Sequence, residues 1–198
     1  MTKKFIPIFS IAAILIAMAI VFSSQNENSI LYPPLENYEN REKFLTFGLF
    51  VTPNPEQNPI DPPERFTGYH TALDIETFEE EKEKDVPVFA ACDGPVMNTS
   101  TADGYGGVII QQCKVNNEDV MVLYGHLNPG SFKFKVGDDV TKKSQLAILG
   151  EEKTMESGFT RKHLHFGIHR GTEIKLLGYV QTQAELQEFI DPQPLLPD

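Results

Sequence analysis

The stretch Asp103–Leu127 reads DGYGGVIIQQCKVNNEDVMVLYGHL and contains two short apolar runs, Val108–Gln112 and Val120–Leu127. Both runs are rich in β-branched residues, which is typical of strands. Similar runs with turn residues between them occur elsewhere along the chain, at Phe44–Val51, Val86–Ala91, Leu146–Leu149 and His163–His169. Short strands with few helical stretches between them predict an all-β fold, built mainly of antiparallel sheet rather than of parallel βαβ units.

One short helix is predicted late in the chain, at Thr182–Ile190. Thr182 and Glu185 have the spacing of a capping box, and Pro192 ends the run. The charged run Glu76–Asp85 (ETFEEEKEKD) is predicted to form a solvated loop and has no expected role in metal binding.

Composition excludes one class of partner. The formal net charge of the 198-residue chain is −11 and no basic stripe is present, so binding to nucleic acid is not expected, because phosphates require Lys and Arg. A hydrophobic content of 40% is ample for a packed core.

The N-terminus predicts a membrane-directed segment at residues 1–22. Lys3 and Lys4 precede the uncharged stretch Phe5–Phe22, whose length favours an uncleaved signal anchor, one transmembrane helix, over a cleaved signal peptide; both alternatives stay open. Either one places the rest of the chain outside the cytoplasm, membrane-anchored or secreted after cleavage. Residues 23–43 are polar and are predicted to be a tether, which leaves residues 44–198 as the globular domain.

The two cysteines, Cys92 and Cys113, lie nearly symmetrically about Asp103-Gly104. In a long hairpin centred there they would be cross-strand neighbours at a separation that a disulfide tolerates. Two separate buried thiols are the alternative, because one β-bulge would change the register.

Four residues in two short motifs are candidates for a metal site. In an extended strand the side chains of His163 and His165 point to the same face, and so do those of His70 and Asp74. Two imidazoles and one carboxylate are a ligand set that zinc uses in catalytic sites, where a fourth position stays open for water. His169 fits neither motif and is expected at the surface, although its parity with His165 would leave it near the cleft.

The motifs together resemble those of the lysostaphin/LytM-type zinc metallopeptidases, which cut peptide bonds in bacterial cell walls. The matching stretches follow the family order: His70–Ile75, Val86–Val96, Gly104–Ile110, Leu123–Leu127, Val136–Val140, Gln145–Gly150, His163–Phe166 and Asp191-Pro192. The resemblance implies an antiparallel LytM-like core, a β-sandwich or half-barrel, with the cleft on one face. It also implies that the substrate is the peptide crosslinks of peptidoglycan, whereas the N-terminal segment predicts the membrane as the other partner.

Carried over to this sequence, the resemblance implies one Zn²⁺ per chain, bound by His70, Asp74 and His165, with His126 and His163 as catalytic histidines that do not bind zinc. Zinc would then activate a water molecule, and one of the two catalytic histidines would take its proton. His163 is favoured as this base because its neighbour His165 holds it beside the metal.

A non-catalytic LytM-like module that binds wall or regulates another hydrolase is the alternative function. It is less favoured because all three ligand positions and both catalytic histidine positions are filled. Four features depart from the family pattern: the long charged stretch Glu151–Lys162, Gly167 in place of the usual Glu, the lack of an obvious counterpart for the Tyr that often precedes the first ligand, and an expanded Glu76–Asp85 loop.

Overall fold

Strands dominate the regular structure of residues 31–61 and 64–197, the part of the chain that the computed structural model describes. The strands are β1 Phe50–Val51, β2 Gly68–His70, β3 Ala72–Glu76, β4 Pro87–Phe89, β5 Gly94–Ala102, β6 Gly106–Val115, β7 Glu118–Leu127, β8 Asp139–Val140, β9 Gln145–Ile148, β10 His163–Arg170 and β11 Tyr179–Val180; the α-helix is α1 Gln183–Leu186.

The main sheet has six strands in the order β3-β10-β7-β6-β5-β8, and each neighbouring pair is antiparallel. Strands β6 and β7 form a hairpin whose register pairs Val115 with Glu118. The two loop residues, Asn116 and Asn117, both have positive φ, as a tight hairpin that follows the strand twist requires. The prediction of an all-β fold with mainly antiparallel sheet is confirmed.

Two smaller antiparallel sheets, β1-β2-β11 and β4-β9, complete the strand pairing of the described chain. The chain passes from the three-stranded sheet to the edge of the main sheet at Thr71, the single residue between β2 and β3. His70 and Asp74, expected on one strand, therefore lie on two strands that meet at a corner.

On β10 and β3 the two faces of the main sheet differ in chemistry, because side chains alternate along each strand. On β10, Leu164, Phe166 and Ile168 enter the main hydrophobic core, and His163 and His165 point to the opposite face. Strand β3 follows the same rule. Its core residues are Leu73 and Ile75, and Asp74, between them, lies on the face of the histidine pair.

The segment 31–43 packs against the domain, although the sequence analysis placed it in the tether. Leu31, Leu35 and Tyr38 are buried in the main core. The backbone amide of Leu31 donates to the Leu195 carbonyl at 3.0 Å, and that of Phe89 donates to the Pro34 carbonyl at 2.9 Å. The segment is polar overall, which favoured a tether, but its apolar side chains are spaced three or four residues apart and together cover the core. The predicted tether at residues 23–30 lies outside the described residues.

The predicted late helix is present but shorter, since α1 ends at Leu186. Its capping box is formed: the Glu185 amide donates to Thr182 Oγ1 at 3.2 Å, and the Thr182 amide donates to Glu185 Oε2 at 2.9 Å. After α1, the amide of Ile190 donates to the carbonyl of Ile168 on β10, and this sheet-like contact replaces further helical turns.

The predicted membrane segment, residues 1–22, lies outside the described part of the chain. Within residues 31–61 and 64–197, no helix has the length and apolar character needed to cross a membrane.

A disulfide joins Cys92 and Cys113, whose Cα atoms are 5.9 Å apart. It links β6 to the segment just before β5 within the main core. Of the two alternatives considered for the cysteines, the disulfide is the one present.

Candidate metal centre and cleft

Side chains from three strands bring three ligand-type atoms together. The Nδ1 of His165 lies 3.0 Å from Oδ1 of Asp74 and 3.2 Å from Nε2 of His70, and the remaining distance, His70 Nε2 to Asp74 Oδ1, is 3.3 Å. Antiparallel pairing places His165 directly opposite Asp74, and the turn at Thr71 brings His70 above both. All three side chains are buried.

This triangle fits a metal ion. The three residues form a group able to hold one. Around a tetrahedral zinc with bonds of about 2.0–2.1 Å, neighbouring ligand atoms lie about 3.3 Å apart, close to the distances found here. Two imidazole nitrogens and one carboxylate oxygen are also a donor set that zinc accepts.

Each histidine of the triangle is oriented by a contact of its other ring nitrogen. His70 Nδ1 lies 3.3 Å from the carbonyl oxygen of Thr46, and His165 Nε2 lies 3.3 Å from Oη of Tyr105. Such contacts set the tautomer of a metal-binding histidine. The Tyr105 ring lies against Gly125, where any Cβ would come within 2.7 Å of Tyr105 Cδ1, so the glycine permits this close approach.

The second oxygen of Asp74 is held away from the triangle. Arg161 donates to Oδ2 at 2.8 Å, and His163 Nε2 lies 3.1 Å from the same atom. Burial opposes ionisation of Asp74, but His163 and His70 outweigh burial, and the pKa of the carboxyl lies well below its ordinary value. Burial also opposes the charge of Arg161, yet Asp74 and Glu76 raise the pKa of the guanidinium. Asp74 is thus an anion with one oxygen directed at the two histidines.

The other two predicted site residues, His126 and His163, lie side by side with ring centroids 4.4 Å apart. His126 Nδ1 lies 3.1 Å from the carbonyl of Tyr105 and 2.9 Å from that of Ser157, so this nitrogen carries the proton. Burial, followed by the charges of His163 and His165, lowers the pKa of His126 well below its ordinary value. A neutral ring with an unprotonated Nε2 results.

His163 has a different environment. Its Nδ1 lies 2.9 Å from the carbonyl oxygen of Arg161, and its Nε2 faces the Asp74 carboxylate. Both nitrogens face acceptors, so a ring with only one proton could donate to just one of them. His163 thus lies between the Arg161 carbonyl and the Asp74 carboxylate.

Asp74, His126, His163 and His165 line a cleft of about 300 Å³. Its walls come from the loops before β2, between β5 and β6, and around β10 and β11. The lining includes Glu64, Arg65, Phe66, Asp103, Tyr105, Arg161, Leu176, Leu177 and Tyr179. Two members of the metal triangle, Asp74 and His165, therefore line the cleft.

Sequence analysis missed Tyr105, Tyr179 and Arg161 as residues of the cleft. Tyr105 stands in the Gly104–Ile110 motif, which offered a signal, whereas Arg161 lies in the Glu151–Lys162 stretch that departs from the family pattern. His169 was expected at the surface, and this is wrong: it is 7% exposed and packs against Phe189 with ring centroids 5.1 Å apart.

Comparison with known proteins identifies the family. The model of peptidase family M23 matches residues 68–176, more than half of the chain. The chain belongs to peptidase family M23. The match includes all five predicted site residues, and the resemblance stated from the sequence is confirmed.

Among relatives of this M23 chain, Endolysin 2638A of Staphylococcus phage 2638A is 30% identical over 112 residues, which cover 57% of this chain and 21% of the endolysin. The chain thus corresponds to about a fifth of that relative.

Two solved structures share the fold of the M23 chain. A zinc-containing peptidase from Vibrio cholerae is 19% identical with a TM-score of 0.53, covering 83% of this chain and 39% of the other. A chain of the SpoIIIAH–SpoIIQ complex is 17% identical with a TM-score of 0.54, and the match covers 82% of this chain and 97% of the other.

Proposed function

We propose that this M23 chain is a zinc-dependent endopeptidase that hydrolyses peptide bonds of peptidoglycan in the cell envelope. The observation that carries the proposal is the triangle of His70, Asp74 and His165, whose ligand atoms lie 3.0–3.3 Å apart. Asp74 and His165 line an open cleft. Family membership supports a peptidase, and the similarity to an endolysin supports the wall as the substrate.

In the proposed mechanism His70, Asp74 and His165 hold one zinc ion, and His126 and His163 move protons. When bound, zinc supplies Lewis-acid polarisation of the scissile carbonyl and a more acidic water. His126 suits the role of base, because its Nδ1 proton is held by two carbonyl groups and its Nε2 is free to accept a proton. We assign proton delivery to the leaving amine to His163, whose ring lies beside that of His126. This assignment reverses the one favoured from the sequence.

An extracytoplasmic location follows from the proposed wall substrate. The disulfide of Cys92 and Cys113 agrees with it, because disulfides persist in oxidising compartments. We propose that the Phe5–Phe22 segment anchors the chain to the membrane, with secretion after cleavage as the alternative.

Digestion of purified cell walls by the full-length chain tests the function. We expect release of new amino groups, loss of that release after chelation, and its return when zinc is added back. The Asp74→Ala variant should bind no zinc and release nothing.

Activity that survives complete removal of zinc would exclude the proposed mechanism. Wall binding by a zinc-loaded chain without release of amino groups would favour the non-catalytic, regulatory module instead.

A further inference from the structure

The arginines of the chain differ in how their charge is balanced. Arg41 pairs with Glu81, Arg170 lies 3.8 Å from Glu118, and Arg161 is surrounded by Glu64, Asp74 and Glu76. Within residues 31–61 and 64–197, Arg65 has no carboxylate within the 4.0 Å of an ion pair. Arg65 is thus an unbalanced cation in a chain of net charge −11.

Arg65 stands where two cavities meet. It lines the cleft and also a neighbouring groove of about 560 Å³, whose wall includes Met155 and Phe159. Its guanidinium carbon lies 4.9 Å from the centroid of the Phe66 ring, and its Nη2 donates to the carbonyl of Gly158. Stacking and one hydrogen bond hold the group in place, and its other N–H groups have no hydrogen-bond partner among the described residues.

Three other charged side chains line the cleft beside Asp74 of the metal triangle: Glu64, Asp103 and Arg161. Glu64 lies 3.5 Å from Arg161, which balances its charge. Arg161, the second arginine of the cleft, already donates to Asp74 and Glu76. Asp103 lines both cavities and, like Arg65, has no ion pair in the described chain. A substrate anion entering the cleft would be repelled by Asp103 and would find one available cation, Arg65.

We propose that Arg65 is a specificity residue that binds a carboxylate carried by the substrate peptide on a residue flanking the scissile bond. This inference rests on the proposed peptidase function. A planar guanidinium with free donors matches a carboxylate in geometry and charge. The substrate class is therefore an anionic peptide crosslink rather than an uncharged one such as a glycine bridge.

The test uses synthetic peptide crosslinks that are identical except for a free carboxylate or a carboxamide on one residue flanking the scissile bond, with each flanking position examined. For the zinc-loaded full-length chain, we expect kcat/KM to favour the carboxylate peptide at one position by about tenfold, the effect of a charge-assisted hydrogen bond. Arg65→Met should remove this preference by slowing the carboxylate peptide alone, and Arg65→Lys should restore part of it.

Two further variants sharpen the result. Asp103→Asn should raise kcat/KM for the carboxylate peptide by removing repulsion, and Arg170→Met, which removes an arginine outside the cleft lining, should leave the preference unchanged. Because an exposed contact is screened by salt, the preference should also shrink as ionic strength rises. Binding of the same peptides to the metal-depleted chain gives a readout that does not need turnover.

Equal kcat/KM for carboxylate and carboxamide at both positions would overturn the inference and leave the peptidase proposal intact. An equal loss of kcat/KM for the carboxylate and the carboxamide peptide in Arg65→Met would also overturn the inference. If the zinc-loaded wild type cuts none of these peptides and releases nothing from cell walls, the proposed function itself fails.

Discussion

Single contacts beside the triangle should tune metal affinity separately from folding, and two tyrosines allow a direct comparison. Tyr105 Oη lies 3.3 Å from His165 Nε2, whereas Tyr124 Oη is a core group that contacts the Ala91 amide and Gln111. We expect Tyr105→Phe to weaken zinc binding about tenfold, the usual effect of removing a partner of a ligand histidine. Tyr124→Phe should instead cost about 2 kcal/mol of stability, because buried polar groups lose their partner. Chelator competition and urea unfolding measure the two effects, and identical zinc affinity in Tyr105→Phe would contradict this role.

The division of labour between His126 and His163 is also decided at the scale of single residues. Burial and the neighbouring histidines lower the pKa of His126, so it stays neutral and able to accept a proton as pH falls below the ordinary histidine range. If His126 is the base, His126→Ala should lose the acidic limb of the kcat/KM profile, and His163→Ala should keep it. The profiles are measured on zinc-saturated protein, and the opposite pattern would return the role of base to His163.

At the scale of elements, continuous apolar runs were predictable and tertiary pairings were not. Strands β6, β7 and β10 coincide with predicted runs because both faces of each are buried. Strand β5 (GPVMNTSTA) was missed because only Val96 is buried in it, and its pairing with β6 rather than its own pattern makes it a strand. The motifs singled out four histidines and one aspartate that the structure brings together. Their supports, Tyr105 and Arg161, reach the site only through the folded loops.

One ion pair joins the N-terminal segment to the loop after β3. Arg41 donates to both carboxylate oxygens of Glu81, at 2.6 and 2.7 Å, and also to the carbonyls of Glu36 and Glu76. Burial opposes ionisation of Glu81, but these bonds from Arg41 lower its pKa below 4.5. Because the folded pKa is depressed, this stabilisation is complete above the unfolded pKa and is lost as pH falls through the folded value.

We therefore expect Glu81→Gln to lower the free energy of unfolding by about 1 kcal/mol at neutral pH. The difference from wild type should shrink towards pH 3. Urea unfolding at both pH values measures it, with the exposed Glu80→Gln as a matched control. A pH-independent difference would show that the ion pair is not its source.

At the scale of the whole molecule, the main sheet separates an apolar core from the face that carries the histidines, and the segment 31–43 closes the core side. Removal of residues 1–30 should leave a folded, zinc-binding chain. Removal of residues 1–43 also strips Leu31, Leu35 and Tyr38 from the core. Three buried apolar side chains stabilise by about 1.5–3 kcal/mol each, so the shorter chain should lose at least about 4 kcal/mol. Thermal unfolding and zinc content are measured for the two shortened chains. Equal stability of the two would mean that residues 31–43 lie on the domain without stabilising its core.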